Sequence, residues 1–142
     1  WKPVGGAWSI LEVVCHLADE EVLDFRTRVL LTLRDPTAPW PAIDPEGWAR
    51  DRRYNEQDLA ASTARFCAER SRSIGVLRAL PDPLWATAHP HPKFGPIGAG
   101  DLLTSWAAHD ALHLRQIAKR IFELAQRDGA PFKSDYAGNW TA

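Results

Sequence analysis

Residues 107–117 read "AAHDALHLRQI" and place two histidines one helical turn apart in an apolar, helix-forming run. Spacings of three and four put His109 and His113 on one row of the predicted helix. The whole row is Leu102, Trp106, His109, His113, Ile117 and Ile121. We therefore expect both imidazoles to face the core, where each unsatisfied ring nitrogen costs about 1–3 kcal/mol. The two rings need a binding partner.

A divalent metal ion is the partner that this spacing favours. The pattern H-x-x-x-H places two side chains about 5–6 Å apart at Cβ, so two ring nitrogens can converge on one ion. A third ligand is available in "CHLADEE" at 15–21, where His16 lies on a mixed polar and apolar row of another helix. The sequence therefore predicts a three-histidine metal site formed by His16, His109 and His113.

Two rival interpretations of the histidines are weaker. In the zinc-protease helix H-E-x-x-H, the glutamate acts as general base. Here Asp110 stands in that place, and no G-x-x-H follows His113. His89 and His91 lie in "HPHPKFG", which is more typical of an exposed loop pair than of a second metal site.

Three long helices are predicted, with no strands. The first begins at a capping box formed by Ser9 and Glu12 and ends near Arg34, before Asp35-Pro36. The second runs from an Asn55 cap to Leu80, and the third from an Asp101 cap to Asp128-Gly129. The residues expected on the buried sides of the first two helices are Ile10, Val14, Leu17, Phe25, Val29, Leu59, Phe66, Ile74 and Leu77. Residues 35–54 and 81–100 are proline-rich and predict long connections.

Composition indicates a single globular domain over residues 1–142. The chain is 45% hydrophobic and has a formal net charge of −1, so it shows no electrostatic footprint for nucleic acid. It contains no membrane-spanning apolar run and no signal peptide, so we expect no membrane partner and a cytoplasmic location. Cys15 and Cys67 are expected to be reduced, partly buried thiols.

Three stretches together resemble the DinB/YfiT-like superfamily of bacterial metalloproteins. They are "WSILEVVCHLADEE" at 8–21, "FGPIGAGDLL" at 94–103 and "AAHDALHLRQI" at 107–117. The resemblance implies an all-α, up-down-down-up four-helix bundle with a long crossover, which is frequently homodimeric. It also implies metal ligation by His16, His109 and His113. The family pattern begins with a helix before Trp8, so the first bundle helix is expected to be missing from this chain, which contains no methionine.

The resemblance narrows the chemistry to a few classes. Characterised relatives include thiol S-transferases, mycothiol-dependent isomerases and metal-dependent hydrolases. An ion held by three neutral histidines keeps an open position, where it lowers the pKa of a bound water or thiol. The interpretation is a zinc- or nickel-dependent enzyme that acts on a small molecule, with transfer of a low-molecular-weight thiol cosubstrate slightly favoured over metal-assisted hydrolysis. The alternative is a stress-related protein whose metal is structural.

Two carboxylates are the best candidates for catalytic work beside the metal. Glu20 follows His16 by one helical turn, and Asp19 is its neighbour, so either could hydrogen-bond a ligand imidazole or handle a proton. The competing interpretation is a solvated acidic run. Arg115, Trp106, Trp48 and the loop "HPHPKF" are candidates for the rim of a substrate pocket.

Overall fold

The computed structural model describes residues 1–141 and is dominated by three long helical segments. The first comprises α1 (Ile10–Glu20), a π-helical turn (Glu21–Phe25) and α2 (Arg26–Arg34). A short helix, α3 (Pro45–Asp51), and a 3-10 turn (Tyr54–Glu56) precede α4 (Leu59–Arg78). Strands β1 (Ala88–His91) and β2 (Gly95–Gly98) lead into α5 (Ala99–Asp128), and a second 3-10 turn (Asp135–Ala137) follows. The predicted domain, 1–142, includes Ala142, which lies outside the described residues.

The capping box at the start of α1 is confirmed. The backbone N–H of Glu12 donates to Ser9 Oγ at 3.1 Å, and the N–H of Ser9 donates to Glu12 Oε2 at 2.8 Å. The helix then continues to Arg34 through the π-helical turn, which the sequence pattern did not predict. A π-turn inserts an extra residue, so the apolar spacing shifts partway along the first long segment.

The predicted caps of the other two long helices were wrong by three residues. The N-cap of α4 is Asp58, whose side chain accepts a 2.7 Å hydrogen bond from the Ala61 N–H. Asn55 lies instead in the 3-10 turn, where it accepts a hydrogen bond from Ser9 Oγ. The N-cap of α5 is Gly98, and Asp101 accepts from the Gly98 N–H at 2.9 Å. Both predictions named polar residues near the true boundary.

The prediction that the chain has no strands was also wrong, because β1 and β2 form an antiparallel pair in the proline-rich connection. Pro90 lies opposite Pro96 in this pair, and prolines without N–H groups conceal a strand pattern. His89 is buried, stacks on Trp40 at 4.3 Å and bonds the Pro36 carbonyl through Nδ1, so it is not an exposed loop residue. Residues 35–54, expected to be an irregular connection, contain α3 with Asp44 as its cap.

Both α4 and α5 pack on the first long segment. The core cluster consists of Phe25, Val29, Leu102 and Trp106, with the Phe25 and Trp106 rings stacked at 5.6 Å. Three residues predicted to be buried, Leu59 and Ile74 on α4 and Ile121 on α5, are exposed. Cys15 is a buried free thiol, whereas Cys67 is exposed. No helix among the described residues is long and apolar enough to cross a membrane.

Candidate metal centre

Three histidines from two helices converge on one point between α1 and α5. His16 Nε2 lies 3.0 Å from His113 Nε2 and 3.3 Å from His109 Nε2, and the His109 and His113 Nε2 atoms are 3.0 Å apart. His16 and His113 are buried, while His109 is half-buried. The structure therefore brings together the three histidines that the sequence singled out.

The triangle of nitrogens fits a divalent metal ion. Three nitrogens bound tetrahedrally at 2.0–2.1 Å would lie about 3.3 Å apart, close to the spacing of these Nε2 atoms. Three ring nitrogens that face one another at this range cannot all be satisfied by sharing protons, because each neutral ring carries only one N–H. A cation that accepts three lone pairs resolves this conflict.

The outer ring nitrogens support that arrangement. His113 Nδ1 donates to Gln116 Oε1 at 2.7 Å, which leaves Nε2 as the unprotonated atom of a neutral ring. His16 Nδ1 faces Glu20 Oε1 at 3.8 Å. His109 Nδ1 is buried without a hydrogen-bond partner among residues 1–141. His113 is thus oriented by a hydrogen bond on the side away from the triangle, as is common for metal-binding histidines, and Glu20 is the carboxyl group that faces His16 on that side without a hydrogen bond.

Burial lowers the pKa of all three rings and favours their neutral forms. Desolvation, followed by repulsion from His113 and His109, lowers the pKa of His16 to about 3. Desolvation and His113 lower the pKa of His109 to about 4, although Asp110 opposes the change. Desolvation also lowers the pKa of His113. Neutral imidazole is the form that binds metal, so the site is prepared for a cation at neutral pH.

Glu20 is buried behind His16 and shares its surroundings with a second carboxylate. Desolvation, together with a hydrogen bond and repulsion from Asp24, raises the pKa of Glu20 to about 8 against the opposing charge of Arg28. Arg28 in turn pairs with Asp24 at 2.7 Å. At neutral pH the pair Glu20 and Asp24 therefore retains a proton next to the outer nitrogen of His16.

Asp19 points away from the histidines. Its buried carboxylate accepts hydrogen bonds from the Tyr54 hydroxyl and from the guanidinium groups of Arg52 and Arg65. Tyr54 precedes α4 and Arg65 lies on it, so Asp19 joins α1 to the segment packed on its other side. The acidic run at 19–21 is thus not a solvated face, and its members serve different neighbours.

A second ionic cluster, which the sequence did not reveal, fixes α5 beside the site. Glu21 is fully buried and accepts two bonds from Arg70 Nε, at 3.0 and 2.9 Å. Arg70 Nη1 also pairs with Asp110 at 2.7 Å, and the indole N–H of Trp106 donates to Glu21 at 3.1 Å. Asp110, the residue in the position of the protease glutamate, is therefore engaged by Arg70.

The predicted rim residues are dispersed. Trp106 is buried in the core, and Trp48 lies under the guanidinium of Arg52 at 5.2 Å. Arg115 lines an open cleft along α5. Sequence reasoning missed Gln116 and Asp24, although each follows a site residue at helical spacing, His113 by three positions and Glu20 by four.

The fold and the histidine cluster define a helical protein with a candidate metal site between its long helices. The chain belongs to the DinB superfamily, whose family model matches residues 1–117. It is similar to the solved structure of YfiT from Bacillus subtilis, described as a probable metal-dependent hydrolase with an unusual four-helix bundle topology. That similarity has a TM-score of 0.71 and 26% identity, over 87% of this chain and 69% of that chain. Comparison with curated proteins gives no match.

Proposed function

We propose that this protein is a metal-dependent enzyme that hydrolyses a small molecule, with a zinc or nickel ion bound by His16, His109 and His113. The observation that carries the proposal is the convergence of the three Nε2 atoms within 3.3 Å. The similarity to a probable metal-dependent hydrolase supports the reaction class. When bound, such an ion supplies Lewis acidity and lowers the pKa of a ligand such as water.

Three histidines suit a catalytic site better than a structural one. Structural zinc sites are closed by four protein ligands, whereas catalytic sites use three and keep one position for substrate or solvent. The described residues offer three histidines to the ion, and the half-buried His109 brings the cluster to the surface on one side. This access favours a site that admits a small molecule.

Glu20 acts in the proposal as a positioning residue. Its carboxylate faces the outer nitrogen of His16 and not the Nε2 triangle, so it contacts the ligand ring from behind. Gln116 performs the same task for His113. Asp19, expected to share in catalysis, is assigned instead to the contact of α1 with Tyr54, Arg52 and Arg65.

Activity assays with and without metal test the proposal. We expect the zinc- or nickel-loaded protein to hydrolyse p-nitrophenyl acetate faster than the EDTA-treated protein, and His109→Ala to abolish the difference. His91→Ala is the matched control, because His91 contacts Lys93, Phe94 and Trp40 around the hairpin and is not part of the histidine cluster. Equal rates with and without metal contradict a catalytic metal and favour the non-catalytic alternative.

A thiol as nucleophile is tested in the same preparation. Addition of a low-molecular-weight thiol and an electrophile such as 1-chloro-2,4-dinitrobenzene measures S-transfer directly. Metal-dependent S-transfer without ester hydrolysis replaces the hydrolase assignment with thiol transferase. Hydrolysis without S-transfer supports the assignment as proposed.

We further propose that the protein forms a homodimer through exposed apolar positions of α5. Leu114 and Ile121 are 63% and 56% exposed and follow one another at a spacing of two helical turns. Symmetric pairing is the commonest way to cover such a face. Sedimentation should give a dimer at micromolar concentration, and Leu114→Glu should give monomers. A wild-type chain that sediments as a ~16 kDa monomer contradicts the dimer.

A further inference from the structure

An open cleft of about 400 Å³ runs along α5 next to the histidine cluster. It lies between the helix and the C-terminal segment, and its lining residues are Leu112, Arg115, Gln116, Lys119 and Trp140. Small-molecule sites commonly enclose 300–1,000 Å³ and combine apolar walls with a few polar groups. This cleft has the size and the mixed lining of such a site.

The cleft is electropositive. Arg115 and Lys119 are neighbours at helical spacing, and none of the five lining residues is acidic. The carboxylate one turn beyond Lys119 belongs to Glu123, which is engaged by Arg120 at 3.1 Å. Two cations thus face a cleft whose own lining offers them no counter-charge, and an anionic ligand would supply one.

The rest of the lining suits an apolar body attached to that anion. Trp140 is half-buried and packs near Phe122, with ring centroids 5.9 Å apart, so its indole is held against α5. Leu112 is 63% exposed and lines the same cleft. An aromatic ring and an aliphatic side chain form walls that a planar or apolar group can contact.

Gln116 joins the cleft to the metal centre. It lines the cleft, and its Oε1 accepts the 2.7 Å hydrogen bond from His113 Nδ1. Lys119 follows His113 by six residues, which corresponds to about 9 Å along a helix. Gln116 meets His113 on the side away from the Nε2 triangle, so the cleft lies behind this ring and is separate from the position that a metal ion would occupy.

We infer that this cleft binds a small organic molecule that carries a carboxylate or phosphate on an apolar body. The binding cleft itself does not depend on the metal. Arg115 and Lys119 hold the anion, and Trp140 and Leu112 contact the apolar part.

Calorimetric titration with benzoate and with phenyl phosphate tests the cleft in the intact chain. We expect both probes to bind more tightly than neutral benzamide, and the double variant R115A/K119A to weaken them at least about tenfold. R78A/K93A is the control, because it removes one arginine and one lysine that lie outside the cleft. The charge-conserving R115K/K119R should retain most of the affinity. Preference for one probe identifies the anionic group as carboxylate or phosphate.

The outcomes separate this inference from the proposed function. R115A/K119A should keep the metal content of the wild-type protein, and a His113→Ala variant depleted of metal should still bind benzoate. Equal benzoate affinity in R115A/K119A and R78A/K93A overturns the inference, whatever the metal assays give. A wild-type protein that binds benzoate but binds neither zinc nor nickel would overturn the proposed function and leave the cleft assignment standing.

Discussion

His16 Nε2 and His113 Nε2 lie 3.0 Å apart, although 97 positions separate the two residues in the chain. One ring comes from α1 and the other from α5, so the site exists only when the two helices are packed together. Each ring is neutral at pH 7 because burial lowers its pKa. Because the two nitrogens meet only in the folded chain, binding of one ion by both would be coupled to folding.

Glu20→Gln tests whether Glu20 orients His16. Replacement of the carboxyl group by an amide should weaken metal binding about 10–100-fold, because the carboxyl group can deprotonate to pair with the outer nitrogen of a metal-bound His16 and the amide cannot. Competition with a chromophoric chelator measures the affinity. A variant that keeps wild-type affinity but loses turnover would instead give Glu20 a direct role in proton transfer.

Asp19→Asn is the matched change at the neighbouring carboxylate. It should leave metal affinity within twofold, since Asp19 contacts Tyr54, Arg52 and Arg65 and not the histidines. It should lower the free energy of unfolding by about 1–3 kcal/mol, because buried hydrogen bonds to a charged group are weakened. Equal losses of metal affinity in both variants would contradict the division of roles between these residues.

Arg70→Ala should be severely destabilising. It leaves Glu21, which is fully buried, without its bidentate partner and also removes the bond to Asp110. The cost of such an uncompensated buried charge is about 3–5 kcal/mol. Urea unfolding measures it, with Arg72→Ala as control, since the exposed pair with Glu69 contributes about 1 kcal/mol or less. A similar loss in both variants would refute the structural role of Arg70.

Acid should destabilise the metal-free protein. The unfolded chain protonates its histidines near pH 6.5, whereas the folded chain resists until about pH 3 at His16 and about pH 4 at His109. Unfolding therefore takes up protons in this window, and the free energy of unfolding should fall as the pH drops from 6.5 toward 4. Urea titrations in EDTA at successive pH values measure this slope.

Glu20 should produce an opposite trend on the alkaline side. Its pKa rises from 4.5 to about 8 on folding, so its stabilising contribution is complete below 4.5 and is lost as the pH rises through 8. Between pH 6.5 and 8, where the histidines no longer titrate, stability should decline with rising pH. In Glu20→Gln the free energy of unfolding should change less between pH 6.5 and 8. The same decline in the variant as in the wild-type protein would show that another group causes it.

The sequence predicted the elements that local patterns determine. The capping box at Ser9 and Glu12 and the spacing of His109 and His113 depend on residues a few positions apart, and the structure has both. His16 was connected to them because a third ligand was needed and this histidine lies on another helix, and the resemblance to a family supported the same choice. The π-turn and the hairpin at 88–98 escaped prediction because their patterns are interrupted by an inserted residue and by prolines.

The roles of Asp19 and Glu21 could not be predicted either. Helical spacing pairs Glu20 with His16, but Arg65 and Arg70, the partners of Asp19 and Glu21, become known only when α4 is in place. In the sequence alone, three consecutive acidic residues are typical of a solvent-exposed helix face. Tertiary contacts turn it into three separate buried interactions.

The metal content of His113→Ala tests the central claim most directly. Elemental analysis of the wild-type protein purified with zinc or nickel should give close to one divalent ion per chain, because three Nε2 atoms converge on a single point. His113→Ala should lose most of that ion, while His91→Ala should keep it. Full metal content in His113→Ala would contradict the three-histidine site.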